Sequence, residues 1–484
     1  MKKNMKDIGK LICFLCIAIS LFQAFDRIYS FKYADGIYGM ETFYKQKNDI
    51  NDVIFVGSSH IFEDVNTAVL WEAYGMATYD LAGAGQPFWN TYYYIKEVVK
   101  TQTPKLIVVD LLGATQTDDY KDTQYIIKNT YGLKFGKNKI DAIKVSARKE
   151  DWTDYFTEIP TYHSRYSELT REDFLPNKGI PNWEAWKGFV INTKTKENKE
   201  PENFQTDKIG ELTEKTEKYL RLICEFCNDN KIALLFIKSP TPSMSVLERE
   251  KYNRGAEIAA EYGIPFMDFN NFYEKMELDF STDMADNSHL NYRGNVKYTK
   301  YLANYLKSNY EIPDRRGQEG YESYDVIAKD CMMRTKNAEV SDTVDLADFL
   351  EKIQDEHYVI FCSANGDYKK ASNYKEIKEL FGQYDIELEG MDNGEVLILM
   401  DGKKEYYSDA NTPWHKEMAE YKTISVKSGN GDDVFASVRF NTEEKTQKFS
   451  GINIVVYDTV TETIVDSACF RIAANKISEA KVTK

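Results

Sequence analysis

A serine that acts as a nucleophile needs a base within reach. Two stretches of this chain, far apart in sequence, could supply that pair. The first is Asp52-Val53-Ile54-Phe55-Val56-Gly57-Ser58-Ser59-His60. Four apolar, mostly β-branched residues predict a short buried strand that stops at Gly57. A hydroxyl at Ser59 would leave the end of that strand just ahead of a helical stretch and face a crevice where amides can stabilise negative charge. The second stretch is Asp286-Asn287-Ser288-His289. Its spacing lets the carboxylate reach the imidazole, fix its tautomer and support a positive charge, leaving the other ring nitrogen to take a proton from a serine. Either stretch alone also fits an ordinary turn. Position favours the chemistry: Asp286 and His289 precede the last expected helix of an α/β region, Asn291 to Leu306.

Acyl transfer also requires donors for an oxyanion. The loop Asp80-Leu81-Ala82-Gly83-Ala84-Gly85-Gln86 follows the second expected strand, and its glycines allow an amide, here that of Gly85, to face the crevice. The Ser59 amide would be the other donor. His60 is the neighbour of Ser59, and adjacent side chains diverge, so it is expected as pocket wall or substrate contact. In Tyr162-His163-Ser164-Arg165-Tyr166, His163 and Arg165 could line a substrate cleft; surface hydrogen bonding is the alternative. Cys224 and Cys227 have a metal or redox spacing, but no second pair answers them. They share a helical stretch with Leu220 and Ile223, which makes them core residues. No metal site is expected.

The elements that must position these residues alternate. Strands are expected at Val53–Val56, Thr78–Leu81, Leu106–Leu112, Ala233–Ile237 and Pro265–Phe269. Helical stretches lie near 67–75, 87–101, 208–229, 246–262 and 292–308. The alternation predicts a parallel sheet wrapped by helices, with its sites at the carboxyl ends of the strands. The stretch 115–203, rich in Tyr, Trp, Lys and Thr, reads as an insertion with some helix. Pro313 and Gly317 mark a linker over 313–321. Beyond it, 322–484 reads as a smaller mostly-β domain. Its strands are expected at Tyr358–Cys362, Val396–Met400, Val434–Phe440, Ile452–Tyr457 and Thr463–Ile472, with helices near 345–354 and 374–382. Asp401-Gly402 suggests a hairpin turn.

With 484 residues and 42% hydrophobic composition the chain can bury more than one core. A formal net charge of -15 argues against a nucleic-acid binder. Seven cysteines, sparsely placed, are no disulfide framework. Residues 1–30 carry Lys2, Lys3, Lys6 and Lys10 ahead of an apolar run from Leu11 to Phe25. A cleaved signal peptide would look similar, but no convincing cleavage site follows, so an uncleaved single-pass signal anchor is the expectation set against it. The basic flank would stay inside and the bulk of the chain outside the cell membrane.

The order Gly57-Ser58-Ser59, the Gly85 loop, then Asp286-x-x-His289 resembles the SGNH (GDSL-like) hydrolase superfamily over about residues 50–310. The Gly-Ser-Ser-His variant and the segments around Leu70-Trp71, Gln86-Pro87 and Pro104-Lys105-Leu106 are similar to its membrane-anchored branch in bacterial cell-surface glycan acetylation and teichoic-acid D-alanylation. The resemblance implies an α/β, three-layer parallel-sheet domain over 31–312. It also implies Ser59 as nucleophile, His289 as base, Asp286 as its orienter, and Gly85 as an oxyanion donor. No cofactor is implied. The implied partners are a cell-surface glycan and a membrane-bound O-acyltransferase. One departure stands out: where the superfamily's third block carries an oxyanion-donating Asn, this chain reads Leu112-Gly113-Ala114-Thr115. In the C-terminal part, Gly451 to Asp458 with Thr463 to Ser467 resembles an interleukin-like EMT-inducer β-domain, which implies glycan binding or a spacer. Two functions are therefore expected in competition. One is a serine O-acyltransferase or esterase, chiefly for acetyl groups on a surface glycan. The other is a non-catalytic glycan-binding or assembly protein that keeps the fold.

Overall fold

A computed structural model describes residues 2–117, 123–174, 186–202, 205–409, 411–429, 435–447 and 449–482. Val434 and, within 115–203, residues 118–122, 175–185 and Asn203 lie outside the described residues. The chain forms two compact units, Met1–Ala328 and Lys329–Lys484.

The first unit is built on five parallel strands: β1 (Val53–Gly57), β2 (Thr78–Ala82), β3 (Leu106–Asp110), β4 (Ala233–Lys238) and β5 (Phe266–Asp268). Their order is β2-β1-β3-β4-β5. The chain steps from β1 to one side and then returns to the other, so the order reverses between β1 and β3. A crevice opens at such a reversal beyond the strands' carboxyl ends, and Ser59 follows β1 directly.

Strand side chains alternate between two cores. Ile54, Val56, Ile107, Val109 and Phe236 pack on one face with residues of the Phe88–Val98, Glu214–Asp229 and Val246–Glu261 helices. Val53, Phe55, Val108, Leu235 and Ile237 pack on the other with Leu70, Tyr298, Leu302 and Leu306. All five residues of β1 are buried, and each large apolar side chain there contributes about 1.5–3 kcal/mol of transfer free energy. Cys224 and Cys227 lie within the first core, and burial pushes both thiols up to about 12.

Several ends differ from the sequence expectation, each for a local reason. β3 stops at Asp110 because that side chain accepts from the Leu112 amide at 3.0 Å and opens a 3-10 turn, Leu111–Thr115. The helix expected from 208 begins only at Glu214, where Thr213 caps it through the Thr216 amide. β5 is confined to Phe266–Asp268. The 115–203 stretch carries helices Thr123–Thr130, Lys137–Ser146, Trp152–Thr157 and Ile159–Tyr162.

At the N-terminus the helix Lys2–Tyr29 contains one span, Ile8–Tyr29, long and apolar enough to cross a membrane, with mean hydropathy 2.1 and 0% of it buried.

The second unit holds antiparallel sheets. Its strands are β6 (Tyr358–Asn365), β7 (Val396–Met400), β8 (Lys403–Tyr407), β9 (Trp414–Ala419), β10 (Lys422–Gly429), β11 (Phe435–Phe440), β12 (Glu443–Glu444), β13 (Gly451–Asp458), β14 (Thr463–Ala473) and β15 (Lys476–Ile477); six run in the order β15-β14-β13-β6-β7-β8, and four in the order β12-β11-β10-β9. β6 (Tyr358–Asn365) and β13 (Gly451–Asp458) form the best-buried part of the larger sheet, and β14 (Thr463–Ala473) pairs with β13. β7 (Val396–Met400) and β8 (Lys403–Tyr407) are joined by Asp401-Gly402, both at positive φ (53° and 69°), the conformation a two-residue hairpin turn needs.

Candidate functional site

Gly57 brings the first half of the site together. A Cβ there would lie 2.7 Å from Asp110 Cβ and 3.2 Å from Ile61 Cγ1, so only glycine lets the end of β1 approach β3 this closely. The next two residues diverge. Ser58 turns back and donates to Asp110 Oδ2, while Ser59 starts the short helix Ser59–Phe62 and lines the crevice. We predict that Gly57→Ala lowers stability by about 1–3 kcal/mol, the usual range for overpacking. Thermal unfolding of the full-length protein measures this, and an unchanged midpoint would mean β1 and Asp110 have slack.

The second half is an Asx-type turn before the Tyr292–Asn309 helix. Asp286 Oδ1 accepts from the amides of Ser288 at 2.7 Å and His289 at 2.9 Å. A short antiparallel bridge, Met284 with Leu290, closes the loop, and Asn291 caps the helix through the Arg293 and Gly294 amides. The turn places the His289 imidazole between two partners. Nδ1 lies 3.0 and 3.1 Å from the two Asp286 carboxylate oxygens, and Nε2 lies 2.7 Å from Ser59 Oγ. Residues 230 positions apart thus form one hydrogen-bonded chain.

The electrostatics follow from this chain. The His289 hydrogen bond holds the Asp286 carboxyl well below the usual carboxylate range. Burial works against a charged His289, but the Asp286 hydrogen bond and the negative charges of Asp64 and Glu63 outweigh it and raise the ring to about 9. Below that value both ring nitrogens carry protons and donate, to Asp286 and to Ser59. Above it, Nε2 is a base that accepts from the Ser59 hydroxyl.

Ser59 and His289 open onto a cavity of about 500 Å³. Gly85 lines it, with φ +57°, and an added Cβ would touch the Tyr125 ring at 3.3 Å. Its amide is the available one in the loop. The Gly83 amide donates to the Gly57 carbonyl, that of Ala84 to Asp35 Oδ2 at 2.8 Å, and that of Gln86 to the Gly83 carbonyl. Leu112 lines the cavity where the resemblance would put an Asn. Among the described lining residues there is no Asn or Gln; the cationic donor is Lys128, paired with Asp35 at 3.2 Å.

His60 lines the cavity, as expected of a wall residue, but it is also 2% exposed and bonded to Asp64. His163 and Arg165 are not among the residues that line this cavity, and their contacts are those of the alternative, hydrogen bonding away from it. His163 Nδ1 meets the Pro160 carbonyl at 2.8 Å. Arg165 donates to the carbonyls of Tyr29 and Ser30 at 2.6 and 2.7 Å and pairs with Asp173 at 3.3 Å. Carbonyls at a helix C-terminus lack intrahelical partners and attract a guanidinium. The cavity also uses Asp35, Glu63, Tyr125 and Lys128, which sequence reasoning did not single out.

No family model matches the chain, and no curated protein matches it.

Proposed function

We propose that this protein is an anchored, extracytoplasmic serine enzyme of the SGNH type that carries an acyl group, chiefly acetyl, to or from a cell-surface glycan. The observation that carries the reading is the continuous chain Ser59 Oγ, His289 Nε2, His289 Nδ1, Asp286, with contacts of 2.7 and 3.0 Å. In the first step Ser59 Oγ attacks the acyl carbonyl while His289 Nε2 takes its proton. The donor's leaving group recovers that proton from His289 and departs, leaving an ester on Ser59. In the second step a sugar hydroxyl, or water, gives its proton to His289 and attacks the ester carbonyl, and Ser59 leaves with the proton returned. The amides of Ser59 and Gly85 are the oxyanion donors in this scheme. The apolar helix Ile8–Tyr29 would hold the enzyme at the cell membrane beside a membrane-bound O-acyltransferase that supplies the acyl group.

A second reading, a glycan-binding protein without turnover, draws on the Leu112–Thr115 segment. The loss of one oxyanion donor costs about 2.7–4 kcal/mol of barrier in enzymes that use it. The fixed tautomer of His289 supports the enzyme, because a binding site gains nothing from a carboxylate placed behind the ring.

The test supplies the full-length protein in detergent with an activated acetyl ester, with and without neutral and amino-sugar oligosaccharides. Acetyl recovered on sugar identifies a transferase, and acetate alone an esterase. Neither product, from folded protein, supports the binder.

A further inference from the structure

The turn that presents Ser59 also presents a second imidazole–carboxylate pair. His60 Nδ1 lies 2.9 Å from Asp64 Oδ2, and the residues are 2% and 0% exposed. The other oxygen of Asp64, Oδ1, accepts from the Leu290 amide at 2.8 Å. His60 Nε2 lies 3.3 Å from Ser288 Oγ, and the His60 and His289 rings are 5.1 Å apart between centroids. Ser288 and Leu290 are the two chain neighbours of His289, so one buried pair holds the base's loop on both sides. The Asp64 carbonyl accepts from Thr299 in the helix that follows the loop, at 3.2 Å.

We infer that His60 and Asp64 are positioning residues: they clamp Ser288 and Leu290 so that the His289 ring stays on Ser59. The inference rests on the reading of Ser59 and His289 as nucleophile and base. It goes beyond it by assigning a role to a pair that does not take part in proton transfer from Ser59. Burying a polar pair costs hydration that apolar side chains of similar volume would not lose, so a purely packing role does not account for it. Geometry accounts for it: Asn291 and Asn198 hold carbonyls at Met284 and Asp286, and Asp286, which anchors the Ser288 and His289 amides, also serves the base, while the His60–Asp64 pair grips Ser288 and Leu290 on either side of the ring. The charged and titratable groups facing His60 are Asp64 on its own turn, His289 on the loop and Lys238 on β4. Lys238 is 1% exposed; burial lowers its pKa, and the neighbouring Asp110 and Asp64 carboxyls oppose that shift.

The test uses the full-length protein in detergent with 15N-labelled histidine, and compares His60→Gln, Asp64→Asn and Ser288→Ala. Ser288→Ala removes only the hydroxyl contact and keeps the fold accessible where the buried variants fail to fold. Two readouts are taken: the rate of serine-directed fluorophosphonate labelling, and the NMR titration of His289 with its Nδ1 proton signal. The inference expects labelling slowed by about 100-fold in His60→Gln and Asp64→Asn, the cost of a misplaced reacting group. It expects a smaller loss in Ser288→Ala, and a His289 titration displaced in all three, downward in Asp64→Asn. Folded variants with the wild-type rate and the wild-type His289 titration would overturn it. If wild-type protein fails to label while the His289 signal still depends on His60 and Asp64, the acyl-enzyme reading falls and the clamp stands.

Discussion

Ser59→Ala removes covalent labelling by a serine-directed fluorophosphonate and slows turnover of an activated acetyl ester by roughly 10³–10⁶-fold. The reason is chemical rather than structural. Ser59 Oγ is the oxygen within hydrogen-bonding distance of His289 Nε2, at 2.7 Å, and it faces the cavity. Ser58, its neighbour, cannot substitute, because its hydroxyl is committed to Asp110 at the end of the adjacent strand β3. Residues that act as a unit lose together, so His289→Ala falls by a similar factor and the double variant by little more. Labelling measured by in-gel fluorescence, with unfolding midpoints alongside, checks this. Wild-type labelling that persists in folded Ser59→Ala would place the reactive serine elsewhere.

Asp286→Asn lowers kcat by about 10⁴-fold with the fold retained, the loss typical of a base left in the wrong tautomer. The change also moves the pH dependence, and the sign is fixed by the groups around the ring. The base form of His289 is the unprotonated one. With its value raised to about 9, the second-order labelling rate of the wild type climbs with pH and levels off near there. The Asp286 hydrogen bond is the largest of the influences that raise it. Its removal takes away the strongest opposition to burial, so the midpoint of the residual rate shifts to lower pH. A profile in Asp286→Asn that keeps both rate and midpoint would show that Asp64 and Glu63, not Asp286, set the ring. Labelling rates from pH 5 to 10 at constant ionic strength decide between the two.

Much of this site could be read from the chain because its parts are local. β1 is a run of four buried apolar residues ended by Gly57, and Asp286 reaches His289 across one turn, so short-range patterns carry both. The parallel sheet was legible for the same reason, through short apolar runs separated by helical stretches. What escaped the sequence depends on contacts between distant segments. Lys128 meets Asp35 across 93 positions, and Arg165 finds carbonyls 135 and 136 positions away. No local pattern distinguishes a substrate-facing arginine from one that satisfies a helix end. The His60–Asp64 pair did leave a signal, an i,i+4 imidazole–carboxylate spacing beside the serine. In the C-terminal part, the helix Glu322–Asp342 lacks a clean apolar stripe, and the polar strand β8 and the mixed strand β9 (Trp414–Ala419) are held by their ladder partners, not by an alternating pattern strong enough to read.

The central claim is that Ser59 becomes an ester during turnover. Intact-mass spectrometry of the full-length protein, quenched in acid during reaction with an activated acetyl ester, measures that directly. The account predicts one added acetyl group, mapped by peptide sequencing to Ser59, absent in Ser59→Ala and discharged when a sugar acceptor is added. Turnover without any adduct on Ser59, or an adduct on another residue that survives in Ser59→Ala, would contradict it.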